Sequence, residues 1–354
     1  MVITNKIKLY PTEEQQALLQ SVIEKQTACA NFFIDKVREE ESTKLNVLHK
    51  YYYEARSEFE LGADLTQLSM MRAIRAVRTA KSKRSNARYF KTKQVIFRIL
   101  RADDNSIAIY IGDGFTRYIQ YRGRKINGYI KKEFVIKSVG DEWYAYIPVE
   151  KETKVKQYKR VMGVDLGVAK VAVVADWNGR NTKFYRGEPL QNTKRHYRHV
   201  KASLQENKKQ GNVYKKLKRI SRKESNWVTD MNHKISRDIV NIAVRNKRTI
   251  ALENLTGITE RLNFNKKTRR MIKGWSFRQL ADFIKYKAEL AGITVVVIDP
   301  RETSRTCPKC RYCSRSNRRT QERFVCRKCC YESNADRVGA INIAIKGTEL
   351  LASQ

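Results

Sequence analysis

Histidine, acidic residues and long apolar runs are all scarce in this chain. Only four histidines are present. His233 sits in a basic, helix-like stretch and reads as an ordinary helix residue, so histidine-centred chemistry is not expected. No run approaches the ~18 apolar residues of a membrane span. No signal-peptide pattern or lipid anchor is evident either, so a soluble protein is expected. Asp and Glu number 36 against 73 Lys and Arg, giving a formal charge of +37 and a pI near 10.0. Self-repulsion on that scale calls for a polyanionic partner, nucleic acid first and an acidic membrane surface second. Seven cysteines are present, six of them between 307 and 330 and Cys29 alone. That clustering excludes a secreted disulfide framework and fits a reducing interior with bound zinc. Internal repeats and low-complexity tails are absent, and 354 residues suffice for two or three domains.

What is present divides by periodicity. A strand-like start (Val2, Ile3, Ile7, Leu9) leads to Thr12 and Gln15, a capping box. Leu18, Val22, Cys29, Phe33 and Val37 then recur at helical spacing from about Glu13 into the forties. Helical patterning continues to Val77, and the basic stretch Lys81–Arg84 ends it. From Gln94 to Val149 the period falls to two, in short runs separated by Gly-rich turns such as Gly112-Asp113-Gly114. Such runs suggest a small barrel, with the helical block inserted after its first strand. Lys151 to Arg160 reads as a charged linker. Beyond it the pattern is α/β. Val161–Val174 reads as a hairpin around Gly167, Asn192–Glu224 as a basic helix, and Val228–Val244 as an amphipathic helix. Thr249–Leu252 reads as a short buried strand, Phe277–Ala291 as a helix stopped by Gly292, Ile293–Ile298 as a buried parallel strand, and a last helix starts near Asn334.

Two Cys-x-x-Cys pairs, Cys307/Cys310 and Cys326/Cys329, have the spacing of a structural zinc ribbon. Cys313 and Cys330 keep the ligand set open, since Cys310-x-x-Cys313 has the same form. The outer pairing gives two knuckles rather than one crowded one. Arg305, Lys309, Arg311, Arg315, Arg318, Arg319, Arg323, Arg327 and Lys328 make the ribbon basic, as phosphate contact would require.

Three acids stand out. Asp165 is flanked by Gly163 and Gly167 on one strand face, which leaves room for a bulky ligand or metal. Glu253 ends an apolar strand, a costly place for a carboxylate that is neither paired nor metal-bound. Asp336 falls in the first turn of a helix behind Asn334, where charge–dipole compensation alone would also explain it. Hard divalent cations prefer oxygen ligands, and two such ions about 4 Å apart can drive phosphodiester hydrolysis. The acids together therefore suggest a metal-dependent nuclease. Tyr51-Tyr52-Tyr53, Arg117-Tyr118 and Tyr121-Arg122 offer stacking surfaces for unpaired bases, or half-buried packing. The Lys194–Lys223 run is too basic to face a core all round and suits a nucleic-acid backbone.

The order Gly163-Val164-Asp165-Leu166-Gly167, Leu252-Glu253-Asn254-Leu255, Asp299-Pro300-Arg301-x-Thr303-Ser304, the cysteine ribbon and Asn334-Ala335-Asp336 resembles the TnpB family. Leu9-Tyr10-Pro11-Thr12-x-x-Gln15, Asn31-Phe32 and the stretch from Trp275-Ser276-Phe277 to Tyr286-Lys287 extend the likeness over the chain. Members are transposon-encoded, RNA-guided DNA endonucleases related to compact type V CRISPR effectors. The resemblance implies a multidomain α+β fold: a wedge β-barrel (1–10 and 91–155) with an inserted helical recognition lobe (11–90), then an RNase H-like α/β RuvC nuclease (160–300 and 333–354) with an inserted zinc ribbon (301–332) that binds target nucleic acid. It implies catalytic Asp165, Glu253 and Asp336 on two Mg2+ ions, and Cys307, Cys310, Cys326 and Cys329 on a structural Zn2+. Implied partners are a guide RNA and double-stranded target DNA beside a short motif. A monomer in a prokaryotic cytoplasm is expected. A guided DNA-binding regulator without cleavage and a guide-free structure-selective nuclease are the alternatives. The family usually carries Gly after each knuckle, where this chain has Arg311 and Cys330, so strain is expected there. Arg305 also stands where the family often has Gln.

Overall fold

The computed structural model describes all residues except 92–93, 99–100, 104, 123–125, 127–128, 131–132, 168, 207–211, 255–276, 321 and 354. It divides into two compact units, Met1–Glu152 and Thr153–Gln354.

The first unit is built on one antiparallel sheet. Strand β1 (Val2–Tyr10) lies at its centre, between β8 (Glu142–Glu150) and β5 (Thr116–Arg122). Outward from these lie β7 (Glu133–Val139) and β2 (Gln94–Arg98) on one side, and β4 (Ser106–Tyr110) and β3 (Arg101–Ala102) on the other, while β6 (Tyr129–Ile130) pairs with β8. The helices α1 (Glu13–Glu39), α2 (Leu45–Leu48), α3 (Tyr52–Glu58) and α4 (Ala63–Ser82) are inserted between β1 and β2, as the pattern predicts. Thr12 and Gln15 form the expected capping box. The edge of β2 is not left bare. The buried Gln26 of α1 donates to the Ile96 carbonyl and accepts from its N–H, each at 2.9 Å. Leu19, Ile23, Phe33, Phe97 and Phe134 lie in one core with residues of both helices and sheet. Tyr121 belongs to this core and cannot stack a base, whereas Tyr53 and Tyr118 are 70% and 50% exposed.

The second unit holds a five-stranded sheet in the order β11-β10-β9-β12-β13. Strands β9 (Val161–Asp165), β12 (Thr249–Glu253) and β13 (Val295–Ile298) run parallel. Strands β10 (Lys170–Asp176) and β11 (Lys183–Arg186) return antiparallel, so the hairpin expected around Gly167 is present. Met162 and Val164 face α6 (Val213–Arg245) and α7 (Phe277–Leu290), packing with Ile239, Leu280 and Ile284. Burying each such side chain contributes about 1.5–3 kcal/mol. Val161, Ala251 and Val296 face the other way, onto Ile343 of α8 (Ala335–Ala352).

Two readings are corrected here. The basic run is shared between α5 (Glu188–Glu206) and the first half of α6, and the amphipathic helix expected from Val228 already begins at Val213. The exposed cations of that first half interrupt the apolar pattern without interrupting the backbone. Val295–Ile298 is an edge strand with Val297 43% exposed, not a strand buried on both faces, because among the described residues no strand of its unit pairs beyond it. Among the described residues, no helix is long and apolar enough to cross a membrane.

Candidate nuclease site and zinc ribbon

Side chains alternate along a strand, so Asp165 points to the same face as Val161, and Glu253 to the same face as Ala251. That is the face covered by α8. Both acids end neighbouring parallel strands, with Leu252 opposite Val164 one residue earlier. Asp336 opens α8 beside them. Its helix starts there because the Asn334 side chain accepts from the N–H groups of Asp336 (3.0 Å) and Arg337 (3.2 Å).

Each of the three acids is raised, and Asp165 also feels the charges of the other two. Burial, then the charges of Glu253 and Asp336, pushes the Asp165 carboxyl well above the usual carboxylate range, against a smaller opposing pull from Arg318. Burial also raises Glu253, opposed by the Thr303 hydroxyl, which donates to its Oε1 at 2.6 Å, and by Lys346. Burial raises Asp336, opposed by Arg318 and Lys170. Arg318 reaches Asp336 Oδ1 from the ribbon at 3.3 Å, while Asp336 Oδ2 is buried without a hydrogen-bond partner. Half-buried carboxylates raised side by side are a site short of positive charge. An orphaned carboxylate oxygen beside them has the chemistry of a hard-cation ligand. The three acids share this face without all lying within 4.8 Å of one another.

The glycine reading needs correction. Gly163 leaves no room for a ligand, because α8 fills it: a Cβ there would lie 2.1 Å from the Ala340 carbonyl oxygen. The absent side chain lets the helix backbone press onto the strand. Gly339 does the same from the helix side, directly against Asp165. Sequence reasoning missed Gly339 and the particular reach of Arg318, and it named Thr303 only within a family-like stretch, not as a partner of Glu253. Gly339, three residues after Asp336 on the helix, was the one legible signal.

The ribbon brings Cys307, Cys310, Cys326 and Cys329 together, with all four sulfurs within 4.8 Å of one another. Cys313 and Cys330 are exposed and outside the cluster, so the outer pairing holds. Burial raises the Cys307 thiol to about 12. At Cys326 burial also raises the thiol, yet backbone N–H groups of Cys329 and Lys328 and neighbouring thiols bring it down to about 6. Four such donors fit a closed tetrahedral metal site. Buried Asn317 ties the knuckles together. It donates to the carbonyls of Arg305 and Tyr312 and accepts from the Arg327 N–H. Strand β14 (Arg323–Val325) and β15 (Glu332–Asn334) lead straight into α8. Arg311 and Cys330 have φ of 62° and 58°, so the strain expected where glycine is missing is present. His233 stacks on Phe283 at 4.0 Å, as an ordinary packing residue would. Leu255, Trp275 and Ser276 lie outside the described residues.

The chain is similar to several known proteins. Residues 277–343 match the Cas12f1-like TNB domain, and residues 146–258 match a family described as a probable transposase, OrfB_IS605. The CRISPR-associated endodeoxyribonuclease Cas12f1 of Sulfoacidibacillus thermotolerans is 33% identical over 228 residues, 60% of this chain and 52% of that protein. The TnpB-like protein MJ0751 of Methanocaldococcus jannaschii is 29% identical over 58% of this chain and 75% of its own length. The putative RNA-guided DNA endonuclease InsQ of Escherichia coli K12 is 26% identical over 66% and 61%. The chain spans about half the length of two Cas12f1 relatives that it matches, 52% and 43%. Among solved structures, a Cas12f1–sgRNA–target DNA complex shares the fold with a TM-score of 0.69 at 14% identity, covering 94% of this chain and 83% of that one. CasPhi-2 bound to crRNA follows at 0.53 and 10%, covering 98% of each chain. The multidomain α+β fold, the four-cysteine ribbon and both family matches point the same way: the chain is similar to the TnpB family and its Cas12f relatives.

Proposed function

We propose that the chain is an RNA-guided DNA endonuclease that hydrolyses phosphodiester bonds with Asp165, Glu253 and Asp336. The observation carrying this reading is the convergence of those carboxyls on one face of the β9–β12 sheet, each raised by burial and Asp165 also by the charges of the other two. Such a face gains most from divalent cations, and two Mg2+ ions held by these acids would supply an activated water and charge neutralisation at the leaving oxygen. The chain's own groups prepare that site. Thr303 fixes one oxygen of Glu253, and Asn334 fixes the helix end that presents Asp336. Arg318 holds Asp336 Oδ1, and its guanidinium is of the type that also pairs with a phosphate. Asn342 anchors the segment leading to the ribbon through the carbonyls of Thr303 and Thr306, each at 2.7 Å.

Zinc is the ion proposed for the four thiolates, as a structural ion rather than a reactant. The 73 Lys and Arg residues supply the surface for a guide RNA and its DNA partner, with base pairing carrying the sequence information. Lys215, Lys216, Lys218, Arg219 and Arg222 are exposed along α6 and suit a nucleic-acid backbone. The wedge, recognition, RuvC and ribbon boundaries given above are the organisation we propose for this activity. A guided regulator without cleavage would have no use for three half-buried acids raised side by side. The test is to purify the protein with co-expressed RNA, sequence that RNA, and offer plasmid matched to it with Mg2+. A discrete RNA and matched cleavage support the reading. No discrete RNA would sink guidance.

A further inference from the structure

A cavity of about 610 Å³ lies away from the acids, at the N-terminal end of β9. Its volume is within the range of small-ligand sites. The floor is apolar, formed by Val161, Ile341 and Ile345. One wall is Trp177, which is 57% exposed. The indole is not on a loose tip. Asp176 beside it is buried and held by Arg248 at 3.0 Å and Asn181 at 2.6 Å. Arg337 of α8 donates to the Gly179 carbonyl at 2.9 Å, pinning the other side of the turn. A large apolar ring exposed on a fastened turn is a platform for something flat.

The rim is cationic. Lys159, Arg160 and Lys309 are exposed and make no ion pair among the described residues. Arg311 is different, since Glu349 neutralises it at 2.7 Å. The Arg160 backbone is fixed by the Thr249 N–H at 3.0 Å, and Lys309 stands inside the first cysteine knuckle. An apolar floor, one exposed indole and unpaired cations at the rim match a nucleobase with its flanking phosphates. We infer that this cavity seats an unpaired nucleotide of single-stranded DNA. Its base lies on Trp177 and its phosphates on Lys159, Arg160 and Lys309. The choice of DNA rests on the proposed nuclease reading and on α8. That helix carries Asp336 at its start and lines the cavity with Ile341, Ile345 and Thr348. At 1.5 Å per residue, Asp336 and Ile345 are about 14 Å apart along the axis. A strand lying across the acids can therefore reach the cavity within a few nucleotides.

The probe is a 12-residue oligothymidylate carrying one 5-iodo-deoxyuridine, photocrosslinked to the full chain with its co-purified RNA and without Mg2+. Peptide mapping is expected to place the adduct on Trp177. Trp177→Leu should weaken binding of the same oligonucleotide about tenfold, and Trp177→Phe should retain most of it. Lys159→Gln with Lys309→Gln should lower the slope of log affinity against log salt by about 1.4. These side chains are exposed, so the variants spare the core, and an unchanged thermal midpoint confirms it. Adducts elsewhere with unchanged affinity in Trp177→Leu would overturn the inference. So would crosslinking at Trp177 by the matching RNA oligonucleotide but not by DNA. Binding here needs neither guide match nor cleavage. Loss of the crosslink with cleavage intact removes only the cavity, and a crosslink without cleavage removes only the nuclease reading.

Discussion

Gly339 stands against Asp165 so closely that a Cβ on it would lie 2.7 Å from the Asp165 Oδ2 atom. The helix that carries Asp336 thus meets the strand that carries Asp165 through a position with no side chain. Gly339→Ala should move α8 or turn the Asp165 carboxylate. Misplacement by about 1 Å can cost on the order of 10²-fold in rate. Alanine in a helix interior otherwise stabilises by about 0.5–1 kcal/mol. Single-turnover cleavage should therefore fall while the thermal midpoint stays level or drops. Unchanged cleavage with a raised midpoint would show that the contact is not restrictive.

Asp165 should destabilise the metal-free fold at neutral pH. Its carboxyl is raised in the folded state. The folded protein therefore binds its proton more tightly than the unfolded chain does. Relative stability from this group is full below the ordinary Asp range near 4 and is lost as pH rises through the raised folded value. Asp165→Asn should accordingly raise the thermal midpoint in chelator, and by more at pH 7.5 than at pH 4. A lower midpoint for the variant at neutral pH would contradict this. Added Mg2+ should narrow the difference, because bound cations relieve the wild-type repulsion.

Cys330→Gly tests the strain in the second knuckle. A non-glycine residue at φ 58° carries a cost of about 1–2 kcal/mol that glycine escapes. Zinc should bind roughly fivefold or more tightly to the variant in a competition with chelator. Arg311→Gly should gain less, because it also gives up the exposed Glu349 ion pair, worth about 0–1 kcal/mol. In every variant, zinc should be lost more readily as pH falls through about 6, where protons compete for Cys326. Equal affinities for wild type and Cys330→Gly would remove the strain argument.

Thr303→Val removes the hydroxyl that donates to Glu253. That bond favours the ionised carboxylate and opposes the larger effect of burial. Without it, Glu253 should ionise at higher pH, and the acidic limb of the cleavage profile should move upward. The rate at the plateau should change less than the rate on the limb. A uniform loss at all pH values would instead assign Thr303 to general support of the loop.

Much of the site was legible because its signals are local. Asn334 caps its own helix, the Cys-x-x-Cys pairs declare their spacing, and Asp165 and Glu253 end apolar strands. Partner identity was not legible. Nothing in Gly163-Val164-Asp165 says that the space beside Gly163 belongs to α8, since Ala340 is far along the chain. Arg318 was visible only as one of many ribbon cations, and its reach to Asp336 depends on how β14 and β15 fold back. In the first unit, Tyr121 and Tyr118 have the same local pattern, yet register sends one to the core and the other to solvent. Val297 belongs to a uniformly apolar run and is exposed because its strand lies at the sheet edge.

The most direct measurement is Mg2+-dependent cleavage of a plasmid carrying the sequence matched to the co-purified RNA, with Asp165→Ala, Glu253→Ala and Asp336→Ala compared with wild type at equal RNA loading. Linear product from wild type alone, with each variant still retaining its RNA, is the predicted result. Undiminished cleavage by any one of the three variants would contradict the account.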